Sequence, residues 1–382
     1  MKRLVLFSFY DQYGVVDFYI IVLLQKLREI SSKIIVVVNG IVNEEGKQTF
    51  IQYADRIIIR DNIGNDGGAY ADVCVRYLGK DGMAEYDEIV FCNDTFFGPF
   101  VSFEKVFQKM ENSKADFWGL NVIENGFWSF LESYFLVFRR QIIEDESLYI
   151  FCDKLCEGIS KNSDYSYYMF ELGIYHYLVN KKYQPGYYTN TQNASVYLNP
   201  DICISQYGLP ILKKKSFSPA MYEEERQIFT LKYIQEYCQY DIREIIDCVK
   251  RKYDISIEQV QIQNYNWALY RPKISEFYVP LTKLTDAQIQ DFLNTKNTVY
   301  IYGAGVYAKV IWYLYQDYIR KFGGFVISDE KCVKSDIFCG KKVVKFSEIE
   351  SNARIILGLN KEHTKEVSMK LGESKNVLVL WQ

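Results

Sequence analysis

Two polar loops, about thirty residues apart, carry the side chains of this chain that are best suited to chemistry. The first has the sequence RDNIGNDGGAY over residues 60–70, and the second has CNDTFFGP over residues 92–99. Each loop follows a short apolar run, RIII at 56–59 and DEIVF at 87–91. Because ligands of open α/β sheets bind at the carboxyl ends of the strands, we expect both loops at one ligand-binding edge.

These loops suit the binding of a nucleotide diphosphate. Asp94 is expected at a strand end, where a carboxylate can hold Mg²⁺ or Mn²⁺ and the metal can neutralise two phosphates. Gly64 and Gly68 would let the backbone approach a ligand closely, and Asp66 would bind a ribose hydroxyl or an amide. The structural alternative is that these residues only form turns and helix caps. The predicted donor-binding set is completed by Asn39, Arg60, Asn62 and Asn93.

The elements that must position these loops alternate along the first 120 residues. Apolar runs at 4–9, 34–38, 57–59, 88–91 and 116–120 predict strands, and the segments between them have helical spacing. Strands separated by single helices predict parallel pairing with right-handed crossovers. A single helix is predicted over 223–253. The fold class is therefore predicted as α/β with a mostly parallel sheet.

In this order, the two loops resemble the rhamnan synthesis protein F family of bacterial glycosyltransferases, which have a GT-A-like nucleotide-sugar fold. The first loop matches at Asn62, Gly64, Asp66, Gly68 and Ala69, and the second at Asn93, Asp94, Thr95, Gly98 and Pro99. Further likeness lies in DFWGL at 116–120, SYFLVF at 133–138 and GLPILK at 208–213. The resemblance covers about residues 1–220.

The resemblance implies that Asp94 occupies the place of the D-x-D acid of GT-A enzymes. This chain has N-D-T there, with one acid instead of two, so a lysine or arginine such as Arg60 is an alternative to the metal. Such enzymes commonly place the base of an inverting transfer at a helix start after the acceptor strands. Glu171 fits that place and Asp164 is its competitor, while a carboxylate that only complements the helix dipole is the structural alternative.

The resemblance further implies transfer of a sugar, rhamnose or another hexose, to a growing capsular or wall polysaccharide. The donor would be a deoxythymidine-diphosphate rhamnose, with a uridine-diphosphate hexose or galactofuranose as rivals. The acceptor would be a glycan on a lipid diphosphate carrier, which the aromatic residues between 126 and 219 would suit. One alternative is a catalytically inactive nucleotide-sugar-binding protein, and another is an NAD-dependent sugar-modifying enzyme that uses the C-terminal domain.

The predicted domains are a GT-A-like domain over 1–222, a helical connector over 223–297 and a small Rossmann-like α/β domain over 298–382. In the last domain, GAGVYA at 303–308 matches the G-x-G-x-x-G/A pattern between a strand and a helix. Asp329 follows near the usual place of a ribose-binding acid. Gly303, Gly305 and Asp329 are therefore predicted to bind a ligand, and the small size of the domain favours a binding or docking role over a dinucleotide enzyme.

Composition restricts the partners and the location of the chain. The net charge of −3 argues against general nucleic-acid binding. The run Lys213-Lys214-Lys215 is expected to be a solvated face, with phosphates or an anionic membrane as the alternative. Nine cysteines, no secretory leader and no apolar run of about 18 residues predict reduced thiols in the cytoplasm. Any membrane contact would be peripheral and would lie at the inner face of the cell membrane.

Overall fold

The computed structural model describes residues 1–162, 165–266, 270–275, 282–331, 335–371 and 376–381. The chain divides into two compact units. The first contains Met1–Ile123 and Phe130–Phe277, and the second contains Glu124–Ser129 and Tyr278–Gln382. Six residues from the middle of the first unit's sequence therefore belong to the second unit.

The described part of the first unit contains ten strands, of which eight form one sheet in the order β3-β2-β1-β4-β8-β6-β7, with β9 also paired to β6. The remaining two, β5 and β10, form a separate antiparallel ribbon. The strands are β1 (Arg3–Phe9), β2 (Lys33–Asn39), β3 (Arg56–Arg60), β4 (Glu88–Asn93), β5 (Phe96–Phe97), β6 (Phe117–Ile123), β7 (Phe130–Leu131), β8 (Phe135–Arg139), β9 (Pro185–Asn190) and β10 (Leu212–Lys213).

Strands β3, β2, β1 and β4 are parallel neighbours, as are β6 and β9. The predicted α/β class with a mostly parallel sheet is confirmed. The expectation of parallel pairing throughout is wrong at β6, because β8 lies between β4 and β6 and is antiparallel to both. No helix separates β7 from β8, so the alternation used for the prediction ends at β6.

Helices cover both faces of this sheet. Along β1, Val5, Phe7 and Phe9 face one apolar core while Leu4 and Leu6 face the other. This arrangement explains why the central strands are apolar on both faces. The helices are α1 (Phe18–Ile30), α2 (Glu44–Tyr53), α3 (Asn65–Asp72), α4 (Gly79–Ala84), α5 (Phe103–Glu111), α6 (Arg140–Glu144), α7 (Ser147–Lys161), α8 (Tyr165–Tyr168), α9 (Ile174–Asn180), α10 (Pro200–Ser205), α11 (Glu224–Tyr237), α12 (Arg243–Tyr253) and α13 (Gln259–Asn264).

Two features of these helices depart from regular α geometry or from the prediction. Wider π-helical turns, Val73–Leu78 and Met169–Gly173, join α3 to α4 and α8 to α9. The single helix predicted over 223–253 is wrong, because Gln239 has a φ of +54° and ends α11 before α12 begins. In the part of the chain that the structure describes, every helix is too short or too polar to cross a bilayer.

The second unit has its own six-stranded sheet in the order β13-β14-β12-β11-β15-β16. All pairs are parallel except the β13–β14 hairpin. Phe127 and Trp128 pack with Trp381 inside this unit. Its elements are β11 (Val299–Tyr302), β12 (Phe322–Ile327), β13 (Ile337–Phe338), β14 (Lys341–Lys345), β15 (Arg354–Leu357), β16 (Val377–Val379), α14 (Asp286–Leu293), α15 (Val306–Tyr315) and α16 (Lys361–Leu371).

Candidate functional site

Three neighbouring parallel strands deliver buried polar side chains to the same edge of the first sheet. Ser8 lies next to the last residue of β1, and its register partner on β4 is Asn93. Asn39 is the last residue of β2. All three side chains are almost fully buried. Buried polar groups require hydrogen-bond partners, so their mutual bonds fix the geometry of this edge.

One chain of hydrogen bonds joins the two loops singled out in the sequence. Arg60 Nη1 donates to Asn39 Oδ1 (2.6 Å), and Asn39 Nδ2 donates to Ser8 Oγ (3.0 Å). Ser8 Oγ donates to Asp66 Oδ1 (2.7 Å), and Asn93 Nδ2 donates to Asp66 Oδ2 (2.7 Å). The structure therefore brings together Asn39, Arg60, Asp66 and Asn93, which the sequence predicted as one site.

The Asp66 carboxyl is the centre of this network. It lies in the first turn of α3, which begins after Gly64. Burial raises the pKa of Asp66 above its usual range, and the negative charge of Asp94 raises it further, against the hydrogen bond from Ser8. Two neutral donors thus hold a carboxyl group whose charged form is disfavoured by its surroundings.

Asp94 forms a buried ion pair that the sequence did not predict. Lys214 Nζ donates to Asp94 Oδ2 (2.7 Å) and to Tyr19 Oη (2.6 Å). The Tyr19 hydroxyl donates in turn to the Asp94 backbone carbonyl (2.8 Å). The side chains of Asp94 and Lys214 are only 5% and 7% exposed, so water hardly screens the pair.

The β5–β10 ribbon carries Lys213 and Lys214 to this place. Lys213 pairs with Phe96, and the backbone NH of Lys214 donates to the Thr95 carbonyl (3.0 Å). Both lysine side chains are buried, whereas Lys215 is exposed. The predicted solvated face is therefore wrong for the first two lysines of the run.

The residues around Asp94 do not fit a divalent cation. Its Oδ2 already accepts a hydrogen bond from the Lys214 ammonium, and the side-chain Oδ1 of Asn93 accepts one from the Thr95 hydroxyl (2.6 Å). Within the described ranges, no group of three or more His, Cys, Asp or Glu side chains is arranged to hold a metal. A cation at Asp94 Oδ2 would have to displace the Lys214 ammonium.

Lys213 lies among carboxyl groups. Its Nζ donates to Thr95 Oγ1 (2.5 Å) and lies 4.3 Å from the centre of the Tyr134 ring. Burial lowers the pKa of Lys213 to about 8, and the charges of Glu132 and Glu171 oppose that shift. With a pKa of about 8, Lys213 is mostly protonated at neutral pH.

Glu171 is the carboxyl group best placed for acid–base chemistry. It accepts a hydrogen bond from Ser133 Oγ (2.5 Å), and burial raises its pKa to about 7. Glu132 accepts from Asn121 (2.8 Å) and Tyr134 (3.2 Å), and burial raises its pKa as well. A pKa near 7 suits a general base, because both protonation states are populated at neutral pH.

The structure corrects the local setting of Glu171. The residue lies inside the π-helical turn between α8 and α9, so the predicted position at a helix start is wrong. Its competitor Asp164 lies outside the described residues. The π-turn adds one residue to the helix and so changes which side chains face the sheet. The periodicity of the sequence does not reveal this change.

The glycines and Arg60 of the first loop have packing roles. A Cβ atom on Gly64, where φ is +78°, would lie 2.6 Å from Ile159, and one on Gly68 would lie 2.3 Å from the Ile63 carbonyl oxygen. Arg60 also donates to Asp72 (2.6 Å), so its charge is already paired. Asn62 is exposed to solvent.

Sequence reasoning missed four residues of this site: Ser8, Tyr19, Glu132 and Ser133. Ser8 was detectable as the polar residue of the apolar β1 run, as Asn39 was for β2. Tyr19 looks like any other core residue of α1, and Glu132 and Ser133 precede a strand that was not predicted.

In the second unit, Gly303 and Gly305 line a cavity of about 410 Å³. Gly303 has a φ of +115°, and space around Gly305 is open to a side chain. Asp329 does not line this cavity. Its carboxylate accepts from the backbone NH (3.0 Å) and hydroxyl (2.9 Å) of Ser347 on the outside of the unit.

This chain is similar to a known family in sequence and to several solved structures. The family model for rhamnan synthesis protein F matches residues 34–290. A search of curated proteins finds no significant match. A solved cytidylyltransferase from Leptospira borgpetersenii is similar, with 13% identity, a TM-score of 0.35, and coverage of 71% of this chain and 100% of its own.

Two further solved structures are similar to this chain. A protein assigned as a nucleotide-diphospho-sugar transferase from Desulfovibrio desulfuricans has 16% identity and a TM-score of 0.30, covering 48% of this chain and 79% of its own. Glucosyl-3-phosphoglycerate synthase from Mycobacterium tuberculosis, solved with Mn²⁺ and uridine diphosphate, has 11% identity and a TM-score of 0.25, covering 45% and 80%.

Proposed function

From the premise that this chain belongs to the rhamnan synthesis protein F family, and is thus a nucleotide-sugar glycosyltransferase, we propose that it transfers rhamnose or another hexose to a growing cell-surface polysaccharide. The donor would be a nucleotide-diphosphate sugar. The acceptor would be a capsular or wall glycan on a lipid carrier. One observation carries the proposal: the hydrogen bond between Asn93 and Asp66, which unites the two loops at the carboxyl edge of the sheet.

We assign the donor to this edge. Asn39, Asp66 and Asn93 offer amide and carboxyl groups for the hydroxyls of a ribose or sugar, as buried recognition of hydroxyls requires. Tyr10 and Tyr13, in the loop that follows β1, are 45% and 69% exposed and offer rings on which a nucleobase can stack. Arg60, Gly64 and Gly68 would hold the backbone of the 60–70 loop in place without contacting the donor.

We assign Glu171 as the base of an inverting transfer. The acceptor hydroxyl oxygen would attack the anomeric carbon while the bond from that carbon to the diphosphate oxygen breaks. The hydroxyl proton would pass to Glu171, and the nucleoside diphosphate would leave with the bonding electrons. The pKa of about 7 supports this role. Asp94, which holds Lys214, would act as a positioning residue.

The acceptor side would be aromatic. Tyr167 is 61% exposed, and its pKa is raised by burial of its hydroxyl and by the nearby charge of Glu171. A ring beside the base gives the acceptor sugar a stacking surface. A lipid-linked acceptor would bring the enzyme to the inner face of the cell membrane, where the exposed Lys215 would meet anionic headgroups.

A donor panel tests this function. We would measure melting temperature and product release with deoxythymidine-diphosphate rhamnose, uridine-diphosphate hexoses and NAD, using wild type, Asn93→Ala and the exposed control Asn112→Ala. We expect one sugar nucleotide to raise the melting temperature of wild type and of the control, and not of Asn93→Ala. Binding with no transfer to any glycan acceptor would support an inactive binding protein instead. A response to NAD alone would contradict the donor site.

The cavity of the second unit supports a separate, smaller proposal. We assign it to a small ligand that contacts Gly303 and Gly305. Asp329 would not contact this ligand and would only hold Ser347 in place through its hydrogen bonds. Gly305 has an ordinary φ of −128° and open space around it, so Gly305→Leu should fold and fill the cavity. Loss of any nucleotide- or NAD-induced thermal shift in that variant alone would place the ligand there.

A further inference from the structure

We infer that three lysines, Lys213, Lys214 and Lys252, neutralise the diphosphate of the donor in this enzyme and that no divalent metal does so. This inference rests on the proposed function and deepens it. The three residues are called the lysine cluster below. The ligand chemistry is that of a nucleoside diphosphate, whose negative charge increases as the sugar leaves.

The first argument is that one carboxylate oxygen of the expected metal ligand, Asp94, is already ion-paired. Asp94 is the single acid at the end of β4, and its Oδ2 is 2.7 Å from the Lys214 ammonium. Both side chains are buried, and Tyr19 accepts a second hydrogen bond from the same ammonium. A buried ion pair that lacked some of its hydrogen bonds would be strongly destabilising. The bonds among Asp94, Lys214 and Tyr19 therefore hold this pair in place.

The second argument concerns unused donors. An ammonium group has three N–H donors and no acceptor. Among the described residues, Lys214 uses two of them, on Asp94 and Tyr19, and Lys213 bonds Thr95. The remaining donors belong to positive charges that are already held in place at the strand ends. Phosphate oxygens are the natural acceptors for such donors.

The third argument is that Lys214 lies near two other positive charges. Burial lowers the pKa of Lys252, and the positive charge of Lys214 lowers it further, while Asp94 opposes the shift. Lys214 also lowers the pKa of Lys213. Side chains in the described part of the chain form no salt bridge or hydrogen bond with Lys252. Lys214 thus repels both Lys213 and Lys252, and a bound anion would reduce that repulsion.

The fourth argument is that separate elements build the cluster. Lys213 is in the β5–β10 ribbon, Lys214 begins the short helical turn that follows it, and Lys252 comes from the last turn of α12. The Lys252 side chain is only partly buried, and α12 contacts the turn that begins at Lys214, so Lys252 can approach a bound diphosphate without disturbing the core. Fixed cations aimed at the leaving group supply the transition-state stabilisation that a metal ion supplies elsewhere.

The test measures binding of uridine diphosphate and deoxythymidine diphosphate to the full-length protein by calorimetry, after EDTA treatment and again with excess Mn²⁺. Lys252→Met is the main variant, because the residue is exposed and should not affect folding. Lys250→Met is the matched control, since it lies on the same last turn of α12 and is also exposed.

We expect wild type to bind one of the nucleotides equally well, within about two-fold, in EDTA and in Mn²⁺. Lys252→Met should weaken binding by about ten-fold or more, as expected for a charge-assisted phosphate contact, and Lys250→Met should not. Asp94→Asn, which keeps an acceptor for Lys214, should change affinity by the same factor with and without Mn²⁺.

Binding that requires Mn²⁺, or a Lys252→Met protein that binds like wild type, would overturn the lysine cluster and leave the glycosyltransferase proposal intact. Absence of binding of either nucleotide under both conditions would overturn both proposals together.

Discussion

Burial sets the chemistry of individual residues at this site. Glu171 and Lys213 both titrate near neutral pH, because burial raises the pKa of the first to about 7 and lowers that of the second to about 8. The base must be ionised and the lysine must be protonated for transfer by the proposed mechanism. Midway between those two pKa values, a little over half of the molecules have both groups in the required state.

We therefore expect a narrow, bell-shaped pH dependence of kcat/KM. The rate should rise as Glu171 loses its proton near pH 7 and fall as Lys213 loses its own near pH 8. Lys213→Arg should remove the alkaline limb, since a guanidinium stays charged throughout this range. Initial rates from about pH 5 to about pH 10 check this, and an unchanged alkaline limb in the variant would contradict the role of Lys213.

Glu171 also has a predictable effect on stability. Its folded pKa lies above its unfolded value, so folding favours the protonated form, and stability is lost as pH rises from about 4.5 through about 7. Glu171→Gln keeps an acceptor for Ser133 and removes the charge. Above pH 7 the variant should exceed wild type by up to about 3 kcal/mol, with no difference near pH 4.

Urea unfolding at two pH values measures this difference. The exposed Glu111→Gln serves as the control and should not change the pH dependence. If Glu171→Gln and wild type had the same stability at both pH values, Glu171 would not be a buried carboxyl group with a raised pKa.

At the scale of elements, the short β5–β10 ribbon controls the site. It has only two residue pairs, yet it contains Lys213 and is followed directly by Lys214. Its closure depends on Gly98, which has a φ of +125° and whose missing Cβ would lie 2.8 Å from the Pro210 carbonyl oxygen. The same carbonyl accepts the Phe100 backbone NH (2.7 Å), so the two chain segments cannot separate without loss of that bond.

Gly98→Ala should therefore reduce both stability and nucleotide binding. We expect a loss of about 3 kcal/mol from the strained φ and the backbone clash together, and a large loss of nucleotide affinity as the lysines shift. Gly208→Ala is the control: its φ is +70° with open space around it, so about 1 kcal/mol of strain should leave affinity intact. Similar nucleotide affinities in the two variants would contradict the role of the ribbon.

The elements also show which parts of the site could be read from sequence. Apolar runs that end in Asn or Asp identified the carboxyl ends of β2 and β4, where ligands of open α/β sheets bind. The ribbon was not predictable, since a two-residue strand has no periodicity and its partners, Phe96 and Lys213, are far apart in sequence. The π-turn around Glu171 likewise leaves no local signal.

At the scale of the whole molecule, all residues assigned to donor binding belong to the first unit. Trp381 belongs to the second unit, where it is buried. Trp381 packs against Phe127, Trp128 and Tyr307, and its Nε1 donates to the Leu359 carbonyl (2.6 Å). The two units therefore depend on different sets of residues for stability and for ligand binding.

Trp381→Ala should consequently destabilise the second unit and spare the donor site. Removal of this buried side chain should cost about 3–5 kcal/mol, while affinity for the sugar nucleotide stays within about two-fold of wild type. Calorimetric melting with and without the nucleotide would resolve the two effects. A loss of donor affinity equal to that of Asn93→Ala would mean that the second unit takes part in donor binding.

The assignment of residues 124–129 to the second unit has a consequence for the order of synthesis. Phe127 leaves the ribosome roughly 150 residues before Leu284, whose carbonyl accepts its backbone NH, and roughly 250 residues before Trp381. At about 5–20 residues per second, the hexapeptide waits about 10–50 s for its last partner. During that interval Phe127 and Trp128 lack the ring contacts with Trp381 that they have in the folded second unit.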